Sequence, residues 1–263
     1  MKDIQIAIIG AGIGGMTAAV TLAQKGFKVK VFEQAPELSE VGAGLTVTPN
    51  ATKGLIYLGL GEAMNKIGMA HDLQGVRHYQ TKEIIVPLKR GKHMLEKYGA
   101  YQFQVHRADI HDILIESLEK HSPGCISIDH QLVGIDQKSD RVKLIFNNQA
   151  EYECDFVIGA DGTRSAVRKS ILGNDEPEFS GYVAWRGVVP TDGLDESDFD
   201  ECGSCAFISP GRVFARYLIR DAKEYNYVAF LATDEWAEEG WSIPSKVETV
   251  LETFSDYNQQ VKN

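Results

Sequence analysis

The sequence predicts an α/β fold, an open parallel sheet continued by a β-rich second domain. Three observations carry it. The chain opens on a short apolar strand that runs straight into Gly10-Ala-Gly12-Ile-Gly14-Gly15; helical and strand-like segments then alternate as far as Leu172; and from Glu178 onward strand-like runs predominate.

Taken in order, Ile4–Ile9 reads as a strand, Ile13–Gln24 as a helix and Lys28–Phe32 as a second strand ending on Glu33, eighteen residues after Gly15. Glycines 10, 12 and 15 fit the G-x-G-x-x-G pattern. The first allows a tight turn, the second lets backbone approach a pyrophosphate, and the third lets helix pack closely on strand. The helix N-terminus then presents unpaired N–H groups and the positive end of its dipole to phosphate. Glu33 stands where a ribose diol is held, and its charge would repel a 2′-phosphate. A ligand-free glycine turn is the alternative; the strand, helix, strand and acid around the motif argue against it.

Composition narrows the class. The 263 residues are 43% apolar and 24% charged, with a net charge of −10 that disfavours nucleic acid and anionic membrane as partners. Ile4–Gln24 carries no charge, a length resembling a membrane span, but four glycines, Gln5, Thr17 and Thr21 make a poor lipid-facing helix. Asp3 and the lack of an A-x-A-like site argue against a signal peptide. Four cysteines without a secretory signal suggest a reducing, cytoplasmic setting. Cys202-Gly-Ser-Cys205 has no second pair to complete a zinc site, and it follows an acidic stretch rather than opening a helix, so structural thiols are expected. That stretch, Thr191–Glu201, holds six carboxylates in eleven residues and reads as a solvated loop. The seven histidines show no H-x-x-x-H spacing, and no metal site is expected.

Further along, Ser39–Ala51 reads as a glycine-containing loop, and Gly75–Thr81 with Glu83–Leu88 as two tightly joined strands. Arg107 opens a helix with Ile110, Ile113, Leu114 and Leu118 on one face. Cys125–Ile128, Gln131–Asp136, Val142–Phe146 and Tyr152–Ile158 form a meander leading back to a core strand. That strand ends in Gly159-Ala160-Asp161-Gly162, a carboxylate at the edge where open α/β sheets bind ligands, and Ser165–Leu172 follows as a helix. The runs from Glu178 suggest an antiparallel sheet, closed by a helix Ser245–Tyr257 with a Ser245/Glu248 capping box.

GAGIGG with Glu33, VHRADIHDIL and GADGTRSAVR, in that order, together resemble the single-component FAD-dependent aromatic hydroxylases, most closely the salicylate and 6-hydroxynicotinate monooxygenase branch; GAGLTVTPNA and FSGYVAWRG resemble it too. The resemblance implies a Rossmann-like FAD-binding domain over residues 1–175, with 71–100 joining the substrate domain, and a β-rich substrate domain over 176–263. It implies FAD contacts at Gly10, Gly12, Gly14 and Gly15, at Glu33 and the adjoining Gln34, at Gly44, at Arg107, at the Leu132 backbone and at Asp161. It also implies NADH or NADPH as co-substrate, and hydroxylation by O₂ of an aromatic or N-heteroaromatic acid. The absence of a second G-x-G-x-x-G, which disulfide reductases with this N-terminus carry, supports the same choice.

Thr46 stands where the branch often has histidine, and on the strand-like RVFARYLIR Arg216 and Tyr217 point to opposite faces, so at most one lines the substrate pocket. Arg216 would suit a substrate carboxylate, an exposed strand arginine being the alternative. No catalytic residue is singled out. The family's downstream GD motif has no match here, so the substrate domain is expected to be C-terminally incomplete relative to the family. The alternatives are therefore a truncated, non-catalytic FAD-binding homologue or an NAD-dependent dehydrogenase.

Overall fold

The computed structural model describes residues 3–39, 42–138, 140–173, 177–195, 199, 202–235 and 243–262. In chain order the elements are β1 (Gln5–Ile9), α1 (Ile13–Gln24), β2 (Lys28–Phe32), β3 (Gly44–Val47), α2 (Pro49–Tyr57), α3 (Gly61–Ile67), β4 (Leu73–His78), β5 (Ile84–Lys89) and α4 (Gly91–Tyr98). They continue with β6 (Phe103–His106), α5 (Arg107–His121), β7 (Ile126–Ser127), β8 (Leu132–Lys138), β9 (Arg141–Phe146), β10 (Glu151–Cys154), β11 (Phe156–Gly159) and α6 (Ala166–Leu172). The last are β12 (Tyr182–Pro190), β13 (Ser204–Ser209), β14 (Arg212–Ile219), β15 (Glu224–Ala232), α7 (Val247–Thr253) and α8 (Gln259–Lys262). The chain divides into two compact units: Met1–Glu40 with Ile110–Glu178, and Val41–Asp109 with Phe179–Asn263.

In the first unit a parallel sheet runs in the order β11-β1-β2-β7. Its central strand, β1, is apolar on both faces, and Ala7, Ile8 and Ile9 are buried, as parallel strands covered on both sides must be. α1 turns Gly15, Met16, Ala19 and Val20 inward at helical spacing. An antiparallel meander, β10-β9-β8, supplies the rest of the core, where Phe32, Leu144, Phe146, Cys154 and Val167 pack together. The Phe32 and Phe146 ring centroids stand 4.6 Å apart.

The stretch predicted as one strand, Tyr152–Ile158, is two. Asp155 interrupts it: its N–H donates to the Gln5 carbonyl at 2.9 Å, and its carboxylate accepts the Gln5 N–H at 2.7 Å. The chain thereby leaves the antiparallel meander and enters the parallel sheet as β11.

The second unit is a six-stranded sheet, β12-β15-β14-β13-β4-β5, antiparallel except where β13 meets β4. Cys205, Phe207, Phe214 and Ala229 pack with Phe254 and Tyr257 of the C-terminal segment on one face. That segment differs from its prediction. The helix is shorter, the capping box does not form, and the Ser245 hydroxyl instead accepts the Trp185 indole N–H at 2.9 Å. Arg212 ties it down through paired hydrogen bonds to Asp256, both 2.8 Å.

The predicted loop Ser39–Ala51 contains β3, which pairs antiparallel with β6, and the first residues of α2. Cys202 and Cys205 are buried, and the Cys202 sulfur accepts from Arg77 at 3.7 Å. Of the acidic stretch, residues 196–198, 200 and 201 lie outside the described residues. Among the described residues no cluster of His, Cys, Asp or Glu forms a metal site, and no helix is long and apolar enough to cross a membrane.

Phe207 is fully buried in the second core, so Phe207→Ala should destabilise the chain by about 3–5 kcal/mol, measured by urea unfolding.

Candidate functional site

The glycine loop is built from backbone packing. Gly10 has φ +100° and donates its N–H to the Phe32 carbonyl at 2.8 Å; a Cβ there would collide with the Ala160 carbonyl oxygen. A Cβ on Gly15 would collide with the Gly10 carbonyl oxygen. The ends of β1 and β11 and the start of α1 therefore meet with no side chain between them. Gly12 and Gly14 are different: Gly12 has an ordinary φ of −66°, and an added Cβ at either position would meet no protein atom within 4 Å. Among the described residues, no packing neighbour requires these two glycines. A pyrophosphate against the first turn of α1 would, and this makes the loop fit a dinucleotide.

Glu33 is tied to the same loop. One carboxylate oxygen accepts the Ala11 N–H at 2.8 Å and the other accepts the Ala35 N–H at 3.0 Å. Each oxygen keeps a lone pair for ribose hydroxyls. Gln34 beside it is exposed. Leu132 is buried in the core and pairs with Phe146 at a register shift in the meander.

Asp161 is engaged at the start of α6. Its oxygens accept the Ser165 hydroxyl at 2.6 Å and the Val167 N–H at 3.1 Å, while Ser165 itself caps the helix through the Arg168 N–H at 2.9 Å. These bonds make Asp161 part of the turn that opens α6.

Sequence inspection missed His111, buried on α5, whose Nε2 lies 2.6 Å from the Ala11 carbonyl. Its place in VHRADIHDIL at a helical position among Ile110, Leu114 and Leu118 was the available signal: a polar residue next to a buried stripe.

In the second unit, β3 passes close over β14 and β15. The Gly44 N–H donates to Asn226 Oδ1 at 2.6 Å, and a Cβ on Gly44 would press to 2.7 Å from Asn226 and 2.8 Å from the Tyr217 ring. The missing side chain at Gly44 thus answers to its own neighbours. Tyr217 is buried, and burial pushes its phenol up to about 12, against smaller opposing effects of Arg186 and of hydrogen bonds with Thr46 and Asn226. Thr46 and Tyr217 are brought together; Asn226, fully buried, joins them without having been foreseen.

Arg216 is not the exposed strand arginine that stood as the alternative. It is buried rather than exposed, donates to the Gln260 carbonyl at 2.8 Å and lies over the Tyr225 ring at 4.9 Å. Strand alternation puts it on the face opposite Tyr217, so it does not join Thr46. Arg107, half-buried, begins α5, its N–H bound to the Ala43 carbonyl at 2.9 Å. Asp109, two residues on, is held by Arg220 through bonds of 2.7 and 3.0 Å, which raise the Arg220 pKa further.

A model of the FAD binding domain family matches residues 3–253. The chain is 34% identical over 261 residues to the 6-hydroxynicotinate 3-monooxygenase of Pseudomonas fluorescens, covering 98% of this chain and 66% of that enzyme. It is 32% identical over 250 residues to 3-hydroxybenzoate 6-hydroxylase 1 of Aquipseudomonas alcaligenes, covering 95% and 63%. Its fold superposes with a TM-score of 0.83 on Klebsiella pneumoniae HpxO complexed with FAD and uric acid, at 23% identity over 98% of this chain and 64% of that one. The chain spans just under two thirds of the length of these relatives.

Two consequences of the geometry can be measured. Gly12→Val should leave thermal stability near wild type while abolishing dinucleotide binding, whereas Gly10→Val should lose about 2 kcal/mol or more through strain and collision. Circular dichroism melts and nucleotide titrations separate the two. Because the Tyr217 phenol titrates higher folded, at about 12, than unfolded, at 10, its contribution to stability is full below pH 10 and is lost as pH rises toward 12. Tyr217→Phe should flatten the fall of urea stability across that window.

Proposed function

This chain belongs to the FAD binding domain family, and we propose that it hydroxylates an aromatic or N-heteroaromatic acid with FAD, NADH or NADPH, and O₂. The observation that carries the cofactor half is the glycine loop, where a Cβ on Gly12 or Gly14 would meet no packing neighbour among the described residues. The substrate half is supported by relatives that act on 6-hydroxynicotinate and 3-hydroxybenzoate. The proposed setting is cytoplasmic.

The first unit is proposed to hold the cofactor, through the amides of Gly12, Gly14 and Gly15 on pyrophosphate, with Gly10 shaping the turn. Glu33, with Gln34 beside it, takes the ribose, and the Leu132 backbone and Asp161 lie along the strand ends. Arg107 and Gly44 remain proposed FAD contacts on the sequence pattern alone. When bound, FAD supplies the activation of O₂ at the expense of NAD(P)H. The second unit is proposed to take the substrate beside Thr46 and Tyr217. The Tyr217 phenol keeps its proton across the neutral range, so it serves as a hydrogen-bonding group toward a substrate oxygen and not as a base. Asn226 and Gly44 fix where that phenol stands.

Titrating the purified chain separately with FAD, FMN and NAD tests the cofactor. FAD should bind tightest; tighter binding of NAD would overturn the proposal. Loss of a charge-assisted hydrogen bond in Arg107→Ala should weaken FAD roughly ten- to hundredfold. Product analysis with a panel of aromatic and N-heteroaromatic acids under NADH or NADPH tests the reaction itself.

A further inference from the structure

We infer that His111 is a positioning residue for the cofactor loop, holding the peptide between Ala11 and Gly12 in the one orientation that offers an N–H to phosphate. The inference rests on the FAD reading above. The Ala11 carbonyl can only accept, so His111 donates from Nε2, which therefore carries a proton. Both partners are buried, at 3% and 2% exposure, so water does not compete for this 2.6 Å bond.

A trans peptide is planar, with its C=O and N–H pointing in opposite directions. Drawing the Ala11 carbonyl toward His111 therefore turns the Gly12 N–H away from it, and a side chain on Gly12 would meet no protein atom. The preceding peptide is fixed as well, because its N–H, that of Ala11, is held by Glu33 at 2.8 Å. Neither polar group of Ala11 is left to the cofactor; the loop meets a phosphate with the amides that follow.

Glycine on the far side of this peptide makes the restraint necessary. Gly12 tolerates either orientation of its peptide, so the loop sequence alone does not choose between them. The flipped form would aim a carbonyl oxygen at a pyrophosphate and repel it. His111, supplied by a helix a hundred residues away in sequence, chooses.

The test compares wild type, His111→Leu, His111→Asn and His111→Gln, with His121→Leu as a control. His121, on the same helix, also bonds a backbone carbonyl, but that of Ser117 at 2.8 Å, on its own helix and not in the loop. FAD affinity is read by flavin fluorescence, and the loop by hydrogen exchange, in FAD-free protein, of its bonded amides, Ala11 N–H on Glu33 at 2.8 Å and Met16 N–H on the Gly12 carbonyl at 2.9 Å.

Glutamine extends an amide N–H to about the position of Nε2, so His111→Gln should bind FAD within about twofold of wild type. Leucine lacks the donor and asparagine falls short of it, so both should bind roughly tenfold more weakly and exchange the loop amides faster. His121→Leu should lower the melting temperature without moving either readout. Wild-type affinity and exchange in His111→Leu, or a His111→Gln as impaired as His111→Asn, would overturn the inference. Should His111→Leu not fold, the asparagine and glutamine pair decides. Failure of the wild-type chain to bind FAD would sink the reading of function alone, since exchange reports the loop without cofactor.

Discussion

Backbone contact at residues 10, 15 and 160 is the constraint on which the first unit rests. The carbonyl of Gly10 occupies the space a side chain of residue 15 would need, and the carbonyl of Ala160 occupies that of residue 10. Two parallel strand ends and a helix start are thereby brought to separations that only glycine permits. α1 cannot move off β1 without opening a gap beneath Met16 and Ala19, which are fully buried. The position of the helix N-terminus, and so of its phosphate-facing amides, is fixed by packing before any ligand arrives.

The second unit is organised by polarity in its interior. Asn226 is fully buried, and its Oδ1 takes the Gly44 N–H, which joins the short β3–β6 pair to the large sheet. Leaving the buried Oδ1 without a donor would be destabilising by about 1–3 kcal/mol, so this bond favours one seating of β3 over others. On the opposite face Arg216 donates to the Gln260 carbonyl and lies over the Tyr225 ring, where it anchors the C-terminal segment. Two polar side chains adjacent in sequence, Arg216 and Tyr217, thus serve separate purposes because a strand sends them to separate faces.

What was legible in the sequence was local. The β1–α1–β2 unit follows from apolar runs and helical spacing within its own thirty residues, and Glu33 from its distance to the loop. The antiparallel character after Glu178 was also legible, because alternation along YVAWRGVV and YNYVAFLAT is a short-range signal. What escaped depends on distant partners. β3 is a strand because β6, some sixty residues later, pairs with it. The Ser245 hydroxyl is taken by Trp185, so a capping box with the right letters does not form. Tyr152–Ile158 is apolar enough for one strand, but Asp155 binds Gln5 and divides it. Arg216 looked like a surface charge because nothing nearby in sequence announces the Gln260 carbonyl that buries it.

The two units differ in what a substitution would do to function. In the first, the proposed determinants are backbone positions and the few groups that pin them: Gly10, Gly12, Gly15, Glu33 and His111. None of these is proposed to touch a substrate, so changes there should affect cofactor binding whichever substrate is offered. In the second, the proposed determinants are side chains on the sheet, Thr46 and Tyr217, packed beside Gly44 and Asn226. Exchanging Thr46 should alter the polarity of the proposed substrate face and leave the glycine loop unchanged. A fold partitioned in this way can keep one cofactor while its substrate varies, since function resides in sites carried by the fold and not in the fold itself. The differing substrates in the names of the relatives, over a shared FAD binding domain, are what such a partition leads one to expect.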